Sequence, residues 1–250
     1  MSAVTILARK EAGELVLSPR GISWLLAMAA ALSVFGLLLV GSTELSLLDN
    51  AEVVYDMAGI VIALGALLAV VVGNDSIGGE RERGSLLPLL LAPITRTGLI
   101  IGKIGGVVVA WMVMLVIAVP YFWAVGSTGQ NLIEGIVGAA LLGTPVVLSF
   151  GLFAMGLAAR VGSSRASLIG TLILLMASGS PLLLGTSLRQ SAIGRGFDWI
   201  NPFSNALNAL DAIIIDSQPI ASQLPHLGIT AVWLLVAIWF ALSGARRLVR

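Results

Sequence analysis

The sequence predicts an all-α integral membrane protein with six transmembrane helices, and three observations predict it. Hydrophobic residues make up 58% of the 250-residue chain and charged residues 11%, with a mean hydropathy of +1.02. A soluble domain is about 45–50% apolar and about 25% charged. The apolar residues also gather into runs of bilayer length, and the lysines and arginines fall almost wholly in alternate connections between those runs.

A spanning helix needs about 20 mostly apolar residues, within about 17–25. The chain opens with an interfacial elbow, 1–21. There Ile6, Leu7, Leu15 and Val16 stand against Arg9, Lys10, Glu11 and Glu14, a mixed pattern suited to lying in the inner interface. Ser18-Pro19-Arg20-Gly21 then breaks the chain. Spans follow at about 22–41, 57–72, 99–125, 133–159, 166–184 and 227–244. The first is longer than the core of a signal peptide, and no small-residue cleavage site follows it promptly, so it reads as a retained anchor. The second is short and borrows a turn from 53–56. Pro120 and Pro145 lie inside the third and fourth spans and Pro181 near the end of the fifth, each removing a helical hydrogen bond. The whole forms one transmembrane domain, 1–250.

Between spans five and six, Asn201-Pro202 has the form of a helix start, with Asn as cap and Pro in the first position. Phe203, Ala206, Leu207, Leu210 and Ile214 then recur at helical spacing. This predicts an outer amphipathic helix that dips its apolar face into the outer leaflet or caps the bundle. Trp199 at its entrance suits the interfacial aromatic belt.

Orientation follows from the basic residues. Arg9, Lys10 and Arg20 precede span one; Arg81, Arg83, Arg96 and Lys103 surround the connection between spans two and three; Arg160 and Arg165 connect spans four and five; Arg246, Arg247 and Arg250 follow span six. Only Arg189 and Arg195 fall on the other side. By the positive-inside rule both termini are cytoplasmic and the protein is a multi-pass protein of the cell (inner) membrane.

Several chemistries find no support. There is no cysteine, which excludes thiolate metal sites and disulfides. The basic residues form no stripe that would read nucleic acid. No span centre carries an ionisable residue, which argues against a carboxylate proton relay. Gly98-Leu99-Ile100-Ile101-Gly102-Lys103 fails as a phosphate loop, having the wrong glycine spacing and Ile104 after the lysine. Lys103 is expected to snorkel from span three to the interface. The scattered methionines read as packing rather than a copper path.

The most informative segment is Gly79-Glu80-Arg81-Glu82-Arg83-Gly84-Ser85-Leu86, between two apolar spans. In a chain this poor in charge, four adjacent charges are expected to sit in water and to be read by something soluble. Glu80 and Arg83 stand at helical i, i+3 spacing, Gly84 is suited to end the short helix, and Pro93 redirects the chain toward span three. The positive-inside rule explains the arginines but not the interleaved glutamates.

Glu80, Gly84-Ser85-Leu86, Leu89-Leu90, Pro93, Arg96 and Lys103 resemble the cytoplasmic loop of the ABC-2 family of ABC-transporter permeases. The six-span layout and the outer hairpin near Asn201-Pro202 are similar too. Gly78-Gly79-Glu80 and Asn201-Pro202-Phe203 resemble the subgroup that includes the permease of the nitrous-oxide-reductase maturation system. Arg81 and Arg83 depart from it, standing where that subgroup runs acidic. The resemblance implies a permease subunit that couples ATP hydrolysis by a separate soluble ATPase to export or mechanical transmission. Its implied coupling element is Glu80, Arg81, Glu82, Arg83, Gly84, Ser85, Pro93 and Arg96, with Arg160 and Arg165 as a lesser inner contact and Asn201, Pro202 and Phe203 opening the outer helix. ATP and Mg would sit on the partner; this chain would bind no cofactor or metal and would not itself be an enzyme. A second permease chain would pair with it, and an extracytoplasmic accessory protein is a further implied partner. Two other readings stand beside it: a rhomboid-like intramembrane serine protease using Ser178 and His226, and a non-transporting membrane scaffold.

Overall fold

The computed structural model describes residues 3–41, 50–91, 94–126, 131–180 and 191–248, and every regular element among them is helical. Pro93, Pro181, Arg189 and Arg250 lie outside the described residues. In chain order the helices are α1 (Ala3–Leu17), α2 (Pro19–Gly41), α3 (Asn50–Asn74), α4 (Leu86–Leu91), α5 (Arg96–Gly126), α6 (Leu132–Arg160), α7 (Ser164–Gly179), α8 (Ala192–Ile200), α9 (Pro202–Ile214) and α10 (Leu224–Gly244). Among the described residues five helical stretches are long and apolar enough to cross a membrane: Pro19–Gly41, Ala51–Glu82, Arg96–Gly126, Leu132–Arg160 and Ile220–Arg247. The apolar helix α7 has 16 residues and is about 24 Å long, below the hydrocarbon thickness of about 30 Å.

The second stretch corrects the expectation of a short span. Helix α3 passes without a break through a π-helical turn, Asp75–Gly79, into Glu80–Glu82. A continuous helix of 32 residues is about 48 Å long. It is therefore longer than the hydrocarbon thickness of about 30 Å, and its hydrogen bonding continues into the charged end. Falling hydropathy after Val72 marks the edge of the apolar region, not the end of the helix.

At the centre, α3 and α6 pack along their lengths, with α5 against both and α10 against the other side of α6. Trp111, Met57, Ile62, Leu142 and Val147 are fully buried where α3, α5 and α6 meet. The Trp111 indole donates to Thr144 Oγ1 at 2.8 Å, which satisfies the one polar atom of the ring inside an apolar core. Helix α2 lies at the edge of the bundle against α5, and α1 runs across α5.

In the region after α7 the structure separates the two alternatives, leaflet or cap, in favour of the cap. Asn201 does cap α9, its Oδ1 accepting from Phe203 N at 2.9 Å, with Pro202 in the first turn. Helix α9, however, is buried on nearly every side, Ser204 and Asn205 included, between α3, α6 and α10. It plugs the bundle rather than lying in the leaflet. The helix that presents apolar side chains outward is α8, through Phe197, Trp199 and Ile200.

Candidate functional site

The charged end of α3 is held by five other helices. Lys103, about two turns into α5, has no exposed surface, and only 4% of the Glu80 side chain is exposed. Lys103 Nζ donates to Glu11 Oε1 at 2.9 Å and lies 2.7 Å from Glu80 Oε2. That second approach is a charge contact rather than an aligned hydrogen bond. Lys10 Nζ reaches the other Glu80 oxygen at 3.4 Å and Glu14 at 3.2 Å. Lys103 does not snorkel, and Glu80 does not sit in water. Lys103, Glu11 and Glu80 are buried together, and the half-exposed Lys10 and Glu14 close the cluster at its edge, the mutual pairing that makes burial of charge tolerable.

Glycines on α5 allow this. A methyl group at Gly102 or Gly106 would press on Leu7 or Glu11 of α1. Their absence lets α1 settle close enough for Glu11 to meet Lys103. Burial pushes the Glu11 carboxyl above its ordinary value; the charge and hydrogen bond of Lys103 oppose this, and the charge of Glu80 adds to it.

The remaining motif charges are also engaged within the chain. Arg81 Nη1 donates to the carbonyls of Ala158 (2.9 Å) and Val161 (2.6 Å) at the C-terminus of α6, where helix carbonyls lack partners and positive charge is favoured. Glu82 Oε1 accepts from Ser164 N at 3.2 Å, at the start of α7, where negative charge is favoured. Arg83 bonds Asp75 at 3.2 Å, and Arg20 of α2 reaches the same carboxylate at 3.2 Å. The expected Glu80–Arg83 pairing is thus replaced by two separate ion clusters. Between them, α1, α2 and the end of α3 line an open cleft of about 440 Å³, with Leu15, Trp24, Val71 and Val72 among its walls.

Gly84 ends the helix as expected, with φ +72°. Gly84 N bonds Arg81 O at 3.1 Å and Ser85 N bonds Glu80 O at 3.0 Å, the paired closure of a Schellman turn. Ser85 Oγ adds a bond to Glu80 O at 3.3 Å. After the turn, α4 buries Leu86 and exposes 65% of Leu87 and 80% of Leu91. Leu87 and Leu91 share one helix face at i, i+4 spacing. The sequence reading omitted them; an apolar i, i+4 pair in a segment bounded by charges was the signal that could have found them. Arg96 is exposed in the first turn of α5, beside this ridge in sequence.

The lesser inner residues part company. Arg165 is exposed at the start of α7. Arg160 is turned toward α10, donating to Phe240 O at 2.8 Å and Ser243 Oγ at 2.5 Å. At the opposite end of the bundle, Asn201 Nδ2 donates to Ser178 O at 2.6 Å, and His226 Nδ1 hydrogen-bonds Asn205 Oδ1 at 2.7 Å. Among the described residues no hydrogen bond joins Ser178 to His226, and the arrangement supplies no serine–base pair.

Among curated proteins none matches the chain. The family model described as ABC-2 family transporter protein matches residues 5–248, nearly the whole sequence. Membership implies a multi-pass permease component that works with an ATPase partner. The chain belongs to the ABC-2 family of transporter proteins.

Proposed function

We propose that the chain is the permease subunit of an ATP-driven transporter and that its soluble ATPase docks on the ridge formed by Leu87 and Leu91, rimmed by Glu82, Arg83 and Arg96. The observation that carries this reading is the contrast across Gly84. On one side the chain is fastened to five helices; on the other it presents two bare leucines on a short helix. A soluble partner that grips the leucines would pull on Gly84 and, through Glu80 and Arg81, on α1, α5 and α6 together. Apolar anchors within a polar rim are the usual form of a protein contact.

In this reading the charged end of the bundle is cytoplasmic, as the positive-inside rule requires, and both termini lie there. Helix α7 belongs to the sixth crossing. ATP and Mg sit on the partner, so this chain performs no catalysis of its own. A second permease chain completes the transporter. The nearer likeness to the nitrous-oxide-reductase maturation subgroup rests on Gly78-Gly79-Glu80 and Asn201-Pro202-Phe203, of which Glu80 is the buried junction and Asn201 the helix cap.

The test is affinity purification of the tagged full-length chain in mild detergent. A stoichiometric ATPase is expected with the natural sequence and is expected to be lost from the Leu87→Asp/Leu91→Asp variant, with the thermal unfolding midpoint unchanged. An ATPase that remains bound to that variant would overturn the docking site. A preparation of the natural sequence that brings down no ATPase would overturn the reading as a whole.

A further inference from the structure

At the same end of the bundle, on the far side of α6, Arg160, Arg246 and Arg247 gather without an ion-paired acid among the described residues. Lys10, Lys103, Arg20 and Arg83 all face carboxylates, and Arg81 fills the end of α6. Arg160, Arg246 and Arg247 instead line a pocket of about 390 Å³ with Trp239, Phe240 and Ser243, and no acid is among them. None of the three has a carboxylate within ion-pair distance among the described residues. Arg160 is held in place: Nη1 donates to Gly156 O at 2.5 Å, Nη2 to Phe240 O and Ser243 Oγ, and its guanidinium stands 3.7 Å from the centre of the Phe240 ring. Arg246 and Arg247 are exposed beside it.

The pocket stands where two bilayer-length helices end, which is headgroup depth. Below it, Val232, Leu235, Val236 and Trp239 form an exposed apolar stripe along α10. Trp239 is 69% exposed, at the level where indole rings favour the interface.

We propose that this pocket binds the phosphate headgroup of an anionic phospholipid, with Arg246 and Arg247 on the phosphate, Arg160 setting the floor of the pocket, and an acyl chain along the α10 stripe. Guanidinium groups match phosphate oxygens with paired hydrogen bonds. Basic pockets between spanning helices on the cytoplasmic side are a recurrent form of anionic-lipid site. The stripe distinguishes a lipid from a free phosphoester, because a soluble anion would gain nothing from it. The inference needs only that α6 and α10 cross the bilayer, and it stands or falls independently of ATPase docking.

The experiment is native mass spectrometry of the full-length protein released from micelles containing equal amounts of phosphatidylglycerol and phosphatidylcholine of the same chain length. The natural sequence is expected to retain phosphatidylglycerol in preference. Arg246→Gln/Arg247→Gln is expected to lower that preference about ten-fold or more, from the attraction of two cations near an anionic surface. Arg9→Gln, an exposed change on α1, is expected to leave it unchanged. Arg247→Gln alone is read if the double variant does not fold. Equal retention of both lipids, or a preference that survives loss of the arginines, would overturn the proposal. Glycerol 3-phosphate added in excess is expected not to displace the lipid; full displacement would overturn the lipid assignment in favour of a soluble phosphoester.

Discussion

Lys103 of α5 and Glu80 at the end of α3 meet at 2.7 Å with almost no exposure to solvent. A buried pair of this kind contributes little relative to an apolar pair of the same shape, but removing one partner strands the other charge, at about 3–5 kcal/mol. Lys103→Met and Glu80→Gln are therefore each expected to lower the thermal midpoint in detergent sharply, and the double variant less than their sum. Glu80→Lys is expected to fail to fold, because it would gather three ammonium groups with Lys10 and Lys103. Loss of a bound ATPase in that variant would report unfolding rather than uncoupling. Full additivity of the single effects would show that the two side chains do not interact.

Arg81 is the second junction. It donates to two carbonyls at the end of α6, and hydrogen bonds from a charged group contribute about 1.5–3 kcal/mol. Arg81→Ala is expected to lower the midpoint by an effect of that order. Arg81→Lys should restore only part, because an ammonium on a flexible stem does not reproduce the planar fork. The check is the ranking of the three midpoints, arginine over lysine over alanine; an alanine variant as stable as the natural chain would remove Arg81 from the junction.

How much of this was legible differs residue by residue. Membrane class followed from composition, because apolar runs of bilayer length have few other uses. Asn201 and Gly84 were legible because a cap and a left-handed turn are local choices, settled within a few residues. Burial of Glu80 was not, because it depends on Lys10 at a separation of 70 and on Lys103, whose other partner Glu11 lies 92 positions away. A charge in sequence does not announce whether its neighbour is water or a distant lysine. The end of α3 was misplaced for a related reason: hydropathy falls where the charged residues begin, whereas backbone hydrogen bonds continue the helix through them. Burial of α9 was hidden because Ser204, Asn205 and Asn208 look solvent-facing until Asn205 is seen donating to the carbonyls of Trp199 and Asn201.

Gly84 holds φ +72° with open space where a side chain would stand. Its replacement therefore isolates backbone strain from any clash. A left-handed residue with a Cβ costs about 1–2 kcal/mol, and Asn tolerates the region best after Gly. Gly84→Ala is expected to destabilise by about that amount and Gly84→Asn by less. Circular dichroism melts of both variants give the comparison, and an alanine variant equal to the natural chain would exclude the left-handed turn.

Lys10 gives the junction a dependence on alkaline pH. Burial, the largest single influence, lowers its pKa; the hydrogen bond to Glu14 and the charges of Glu80, Glu14 and Glu11 together outweigh it, and the net direction is above the ordinary 10.5. A lysine that binds its proton more tightly when folded contributes stability below its unfolded value, and that contribution is lost as pH rises through the folded value. The natural chain is therefore expected to lose stability above pH 10.5. Lys10→Gln should start lower at neutral pH and fall less steeply over the alkaline range, since it has no proton there to lose. Half of the Lys10 side chain is near water, with 44% exposed, so solvent screening keeps the difference small and raising ionic strength should shrink it. Parallel melting curves of the two proteins across the alkaline range would show that Lys10 carries none of this dependence.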